Sequence, residues 1–287
     1  MASLNKERIF NPVVLITGAS SGFGLLTALR YAEQGYLVIA TMRNLDRRNK
    51  LEEMALQRQL DSNIVYWQLD VTKEQDIQEV MTRLHAEYGR LDVLVNNAGY
   101  AVGGMTEEVP FEEWQKQMDT NFYGVLRMTQ AVLPLMREQL SGYIINIGSV
   151  SGRLGIPGYA PYCASKFAIE GLSESLRLEL SPFGIKVVLI EPGAYRTSIW
   201  DKGFEQIHSK PSSPYRQLLE SVLSYSRRTA ADAPDPDQIA HKIVKVSQIH
   251  APTLRYTMGK GARITLWSKA ILPWKWFERL LLMMLNK

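Results

Sequence analysis

The chain is predicted to fold as a doubly wound α/β structure, a parallel sheet with helices on both faces. Three observations carry that prediction. Short runs at 13–16, 37–40, 64–69, 93–95, 143–147 and 187–190 are apolar almost throughout rather than alternately, as expected of strands buried on both faces. Amphipathic stretches separate them, as where Ile77, Val80, Met81 and Leu84 fall on one helical face. A glycine-rich turn follows the first run directly. Strands alternating with helices at this spacing form right-handed crossovers and therefore pair in parallel.

In the first unit, Thr17-Gly18-Ala19-Ser20-Ser21-Gly22-Phe23-Gly24 leaves the strand and opens a helix. Glycines here permit a tight turn and let a pyrophosphate approach the helix N-terminus. A plain glycine turn would share the spacing, but this position in an alternating chain points to dinucleotide binding. Gly18, Ser20, Ser21, Gly22, Phe23 and Gly24 are the candidate contacts. The second strand runs into Thr41-Met42-Arg43-Asn44, with no acid before Asp46. A carboxylate at that strand end would accept the ribose hydroxyls of NAD. Arg43 suits the 2′-phosphate of NADP instead, through charge-assisted bonds. NADP(H) is the expected cofactor and NAD(H) the alternative; Arg47 and Arg48 read as solvated helix charges.

Asp70 ends the third strand, placed either to accept from an adenine amino group or to cap the next helix. Asn96-Asn97-Ala98-Gly99 follows the fourth. Small residues there let the backbone pass close to a cofactor, and an asparagine can bridge neighbouring strand ends; Asn97, Ala98 and Gly99 join the candidate set. Ser149 closes the fifth strand, and Tyr162 and Lys166 stand four apart on one face of the helix that follows. Tyr-x-x-x-Lys recurs by chance on many helices. Here it shares one chain, in order, with the glycine turn and Ser149.

Beyond the sixth strand, residues 194–237 read as irregular, proline-dotted and without a strand, and are taken as a substrate lid. A helical pattern near 239–246 and a last strand at 254–257 follow. The lid opens with bulky Tyr195, Ile199, Trp200 and Phe204. A pocket between 100–105, 150–159 and this lid suits a hydrophobic ketone, aldehyde or secondary alcohol; anchoring of the lid to the domain is the competing role.

Together these motifs resemble the short-chain dehydrogenase/reductase family. The matching residues are Thr17 to Gly24, Asp70, Asn96 to Gly99, Asn121, Ser149, Tyr162-x-x-x-Lys166, Pro192-Gly193 and Thr197. The resemblance implies one Rossmann-type domain over 1–287, a homo-oligomer (dimer or tetramer), no metal, and hydride transfer between a nicotinamide and a carbonyl or alcohol. It implies that Tyr162 exchanges a proton with the substrate oxygen. The cations of Lys166 and of oxidised nicotinamide would move that phenol from its ordinary pKa near 10 toward working pH. Ser149 would hold the substrate oxygen, and Lys166 would also bind ribose hydroxyls. Asn121 would place a water that relays protons to Lys166, or simply kink its helix. Thr197 would contact the carboxamide, with Pro192 and Gly193 alongside. Cys163 has no base beside it and reads as a packing residue. Leu254-Arg255-Tyr256-Thr257-Met258-Gly259 and the segment after it are similar to the hydroxysteroid and retinol dehydrogenase branch, which keeps an NAD-dependent enzyme of that type as an alternative. The extended branch carries Gly-x-x-Gly-x-x-Gly and a larger substrate domain, neither seen here. A non-enzymatic dinucleotide-sensing regulator would often have lost the tyrosine or lysine.

Composition narrows the setting. With 46% hydrophobic and 22% charged residues in 287, the chain is an ordinary soluble globular protein. A single cysteine and no secretory pattern fit a reducing, cytoplasmic compartment. The four histidines lack metal-ligand spacing. Net charge is +4, yet 251–287 holds seven Lys/Arg and one acid, leaving 26 bases and 28 acids before it. A basic excess confined to the tail argues against nucleic acid as a partner. In the extension 260–287, Trp267, Trp274, Trp276 and Phe277 alternate with Lys269, Lys275 and Arg279 ahead of an apolar 280–285. Such a helical extension suits an anionic membrane interface, docking on its own domain, or burial against a second subunit.

Overall fold

In the computed structural model, residues 11–197 and 207–285 are described. The strands β1 (Val13–Ile16), β2 (Leu37–Met42), β3 (Ile64–Gln68), β4 (Val93–Asn96), β5 (Gly142–Ile147), β6 (Ile185–Pro192) and β7 (Arg255–Met258) form one sheet in the order β3-β2-β1-β4-β5-β6-β7. Every neighbouring pair is parallel. The helices are α1 (Gly22–Glu33), α2 (Asn49–Gln57), α3 (Glu74–Glu87), α4 (Phe111–Met118), α5 (Gly124–Gln139), α6 (Ala160–Leu180), α7 (Arg216–Ala231), α8 (Asp237–Ser247), α9 (Ala262–Ile271) and α10 (Trp274–Leu285).

Alternation along each strand divides its side chains between two cores. Val14 and Ile16 join Leu25 and Leu29 of α1 and Ile239 and Ile243 of α8. Val13 and Leu15 join Leu84 of α3, Met128 and Val132 of α5 and Leu176 of α6 on the other face. Both sets are buried, and for that reason the strands read as continuous apolar runs. The sheet order reverses at β1, flanked by β2 on one side and β4 on the other. The connections that follow β1 and β4 therefore run to opposite faces of the sheet and leave a crevice at the strands' carboxyl ends.

Two expectations change. Among the described residues of 194–237 there is regular structure: α7 lies there, and Ile207–His208 pairs in parallel with Gly103–Gly104. The buried face of α7 is Leu219, Val222 and Ser226, whose polar third member dilutes the apolar period. Pro211, Pro214, Pro234 and Pro236 lie outside the helix and bound it rather than break it. Second, Tyr195 lies in the core under the sheet rather than in a pocket, 2% exposed and edge-on to Phe23 at 5.8 Å. It anchors the start of the lid. Ile199, Trp200 and Phe204 fall outside the described residues.

The basic tail forms two helices, α9 and α10. Leu266 and Phe277 bury against Leu154, with Val150, Ile156 and Leu272 packed around them. Burying each such side chain stabilises by about 2 kcal/mol, so the tail docks on its own domain. No helix among the described residues is long and apolar enough to cross a membrane.

Candidate active site

The glycine turn is held by side chains of the neighbouring loop. Thr17 Oγ1 accepts from the backbone N–H groups of Asn97 and Ala98, each at 3.0 Å. Asn97 Nδ2 donates to the carbonyls of Thr17 (2.8 Å) and Gly18 (2.9 Å). The loops after β1 and β4 are thereby tied together across the crevice. Gly18 has φ +69°, and a Cβ there would lie 2.9 Å from Ala98 Cα. At Gly24 a Cβ would lie 2.5 Å from Asn97 Nδ2. Gly22 has φ +57°, and a Cβ there would only touch Thr197, at 3.8 Å. No acid stands in the first turn of α1, so its dipole and amide groups face the crevice without a competing anion. Ser20, Ser21 and Gly22 are partly exposed there. These features fit a dinucleotide diphosphate.

Other predicted contacts are distributed around the same crevice. Arg43 is exposed just beyond β2, with no ion pair among the described residues. Asp70 does not cap α3, which begins at Glu74 behind Lys73. Its carboxylate accepts from Thr72 N–H (3.0 Å) and Thr72 Oγ1 (2.8 Å) and so fixes the loop. Pro192 ends β6, and Gly193 N–H donates to Met258 O at 2.7 Å, joining that loop to β7. Phe23 spends its ring on Tyr195. Asn97 contributes its side chain to the turn rather than to the open crevice.

Three predicted catalytic residues come together. Ser149, at the end of β5, accepts from Ser151 N–H at 3.1 Å and donates to Pro192 O at 3.4 Å. Ser149 is also the neighbour that favours the ionised form of Tyr162. Lys166 lies one turn along α6, its Nζ 5.7 Å from the Tyr162 ring centre and donating to Ile147 O at 2.7 Å. Burial pushes the Tyr162 phenol up to about 12, against the Ser149 hydrogen bond. Burial likewise brings Lys166 down to about 8, partly offset by Glu170. The protein's own groups do not bring the expected drop in the tyrosine's pKa: burial dominates, and the Lys166 ammonium donates to the Ile147 carbonyl. Burial also pushes the Cys163 thiol up, as suits a packing residue.

Asn121 lies in a π-helical turn, Asp119–Tyr123, between α4 and α5. One extra residue in that turn rotates its side chain inward. Nδ2 donates to Tyr100 O (3.0 Å) and Ser165 Oγ (3.1 Å), and Oδ1 accepts from Tyr100 N–H (3.1 Å). Asn121 thus pins Tyr100 from the π-helical turn, and makes no direct bond to Lys166.

Sequence reasoning missed the groups behind the lysine. Glu170, one turn beyond Lys166, faces Glu191 of β6, which is fully buried. Arg255 of β7 spans both, at 2.9 Å from Glu170 and 3.2 Å from Glu191. Burial and the Glu191 charge raise the Glu170 carboxyl. No spacing pattern marks this unit, because its members come from three segments. Gln117 was also missed: it donates to Tyr100 O (2.8 Å) and accepts from Val102 N–H (2.7 Å).

The expected pocket walls converge. Gly104 N–H donates to Gly158 O at 2.9 Å, and Tyr215 donates to Glu107 at 2.7 Å. Val222 of α7 packs on Tyr159 and Cys163, with Ile156, Tyr162 and Tyr225 against them. An apolar wall from the lid thus reaches the tyrosine.

A dinucleotide crevice beside a carbonyl-reactive cluster defines a class: oxidoreductases that use a nicotinamide cofactor. Comparison with known proteins gives the family. Residues 12–208 match the short chain dehydrogenase family. The Bacillus subtilis oxidoreductase YusZ is 42% identical over 272 residues, covering 94% of this chain and 96% of that protein. A Bacteroides thetaiotaomicron 3-ketodihydrosphingosine reductase is 38% identical, covering 86% and 87%. Human 17-beta-hydroxysteroid dehydrogenase type 1 is 37% identical, covering 85% and 76%. Among solved structures, a Streptomyces avermitilis short-chain dehydrogenase superposes with TM-score 0.78 at 33% identity, covering 91% and 92%. A serine dehydrogenase in complex with NADP+ gives 0.74 at 32%, covering 86% and 94%. The chain belongs to the short-chain dehydrogenase/reductase family, oxidoreductases of CH–OH and C=O groups.

Proposed function

We propose that the protein is an NADP(H)-dependent oxidoreductase that interconverts a carbonyl and an alcohol on an apolar small molecule, with Tyr162 as acid/base. One observation carries it: Tyr162 packs against the apolar lid wall of Val222 and Tyr159, with the buried Lys166 Nζ 5.7 Å from its ring and Ser149 beside it. The bound nicotinamide supplies or removes the hydride. Ser149 holds the substrate oxygen and orients it toward the phenol. Tyr162, kept protonated by burial, donates its proton to that oxygen in reduction and takes one back in oxidation. Lys166 places positive charge beside the phenol and stabilises its deprotonated form. Val222, Tyr159 and Ile156 exclude water from this exchange.

Arg43 supports NADP, since an exposed guanidinium at the end of β2 meets a 2′-phosphate without displacing an internal partner. The serine dehydrogenase above holds NADP+, and a further neighbour, ElxO, holds NADP at 27% identity. Relatives named for a ketodihydrosphingosine and a hydroxysteroid support an apolar carbonyl or alcohol. The test is Tyr162→Phe, assayed on a panel of apolar ketones with NADPH and with NADH. Turnover is expected to be lost while NADPH still binds with near-unchanged affinity. Near-normal rates in that variant would falsify the acid/base role.

A further inference from the structure

The two tail helices dock through few residues and leave a broad apolar surface. Ala262, Leu266 and Phe277 face inward. Outward lie Ile264 (71% exposed), Trp267 (69%), Ile271, Trp274, Trp276 (65%) and Leu280. More than half of the exposed large apolar side chains among the described residues fall in α9 and α10. Exposed Lys260, Arg263, Lys275 and Arg279 lie among them, with Glu278 the one acid of the segment 251–287. A patch of this kind marks an interaction surface. A second copy of the chain is a poor occupant, because a two-fold contact would set these cations against themselves. The cations, the tryptophans and the apolar face together match an anionic lipid surface. The helices are too short to span it and suit its interfacial plane.

The position of the patch gives it a consequence. Its inner residues pack on Leu154, Val150 and Ile156, in the loop that follows Ser149. Ile156 also packs in the cluster of Tyr159, Tyr162 and Val222. We propose that the outer face of α9 and α10 seats on the headgroup region of anionic phospholipid bilayers, and holds the pocket rim against the phase in which apolar substrates dissolve. The seat stands on the tail's own geometry; substrate delivery rests on the proposed function.

Full-length protein is sedimented with vesicles of phosphatidylcholine alone and of phosphatidylcholine with phosphatidylglycerol. Cosedimentation is expected with the second, not the first, and salt should reverse it. Lys275→Gln and Arg279→Gln should each weaken partition about fivefold, and Trp267→Glu with Trp276→Glu should abolish it. These positions are exposed, so melting temperature and turnover of a water-soluble ketone should be unchanged. Equal recovery in the supernatant with both vesicle types overturns the proposal. So does a dimer that the two tryptophan substitutions dissociate. Vesicle binding without turnover of any ketone upholds the seat and overturns the apolar-carbonyl reading.

Discussion

Tyr162 and Lys166 shift in opposite directions for one reason: burial disfavours the charged form of each, up to about 12 for the phenol and down to about 8 for the ammonium. Lys166 donates to Ile147 O and does not offset that burial. Tyr162 is accordingly protonated at neutral pH and ready to act as an acid. Carbonyl reduction should hold its rate through neutral pH, while alcohol oxidation, which needs the deprotonated phenol, should climb as pH rises. Rate profiles measured in both directions check this; oxidation independent of pH would remove Tyr162 as the base. At Arg43, exposed beyond β2, Arg43→Glu should raise the KM for NADPH about ten- to a hundredfold by loss of a charged hydrogen bond. The KM for NADH should barely move, and an equal effect on both cofactors would refute the 2′-phosphate contact. Ser149, Tyr162 and Lys166 were legible as residues because their order and spacing recur together. Glu170 was not, since a glutamate on a helix is ordinarily a solvated charge.

Among the elements, the turn after β1 is the most constrained. Gly18→Ala would place an L residue at φ +69° and a Cβ 2.9 Å from Ala98 Cα. The left-handed conformation alone costs about 1–2 kcal/mol, and the clash would part the loops after β1 and β4. Melting temperature should fall by roughly 5 °C and NADPH binding should weaken, as a thermal melt and a fluorescence titration would show. An unchanged melt would mean that the turn is looser than its geometry. The helix α7 was illegible because Ser226 occupies its buried face and four prolines flank it. Its helicity is decided by the wall it finds at Tyr159 and Cys163.

Over the whole molecule, the sheet edge is fastened to the site by Arg255. From β7 it bonds Glu170 and Glu174 of α6 and pairs with Glu191 of β6. Arg255→Met would leave the buried Glu170 and Glu191 carboxylates with Arg153, 3.6 Å from Glu191, as their remaining cation, at about 3–5 kcal/mol; a urea melt that moves less would show that Arg153 or water relieves them. Glu170 is raised chiefly by burial and then by Glu191. A raised carboxyl favours the fold while it carries its proton. Its contribution is fully present below the ordinary range near 4.5 and is lost as pH rises through the raised value. Glu170→Gln should therefore flatten the decline in stability between mildly acid and neutral pH. An unaltered slope in urea midpoints would assign that dependence to other groups.

The sequence by itself determined the order of strands and helices, the parallel sheet, the glycine turn and the Ser149–Tyr162–Lys166 set. Each of these is written within a short window, as a period or a spacing that local backbone geometry enforces. Only the tertiary structure decided that Asn97 fastens the turn, that α7 exists, and that Tyr195 is core. The same holds for the Glu170–Arg255–Glu191 unit and the tail that docks by one face and leaves the other bare. The physical reason is common to all of them. Burial, and with it every pKa and every free surface, depends on which distant segments meet, and no local period records that.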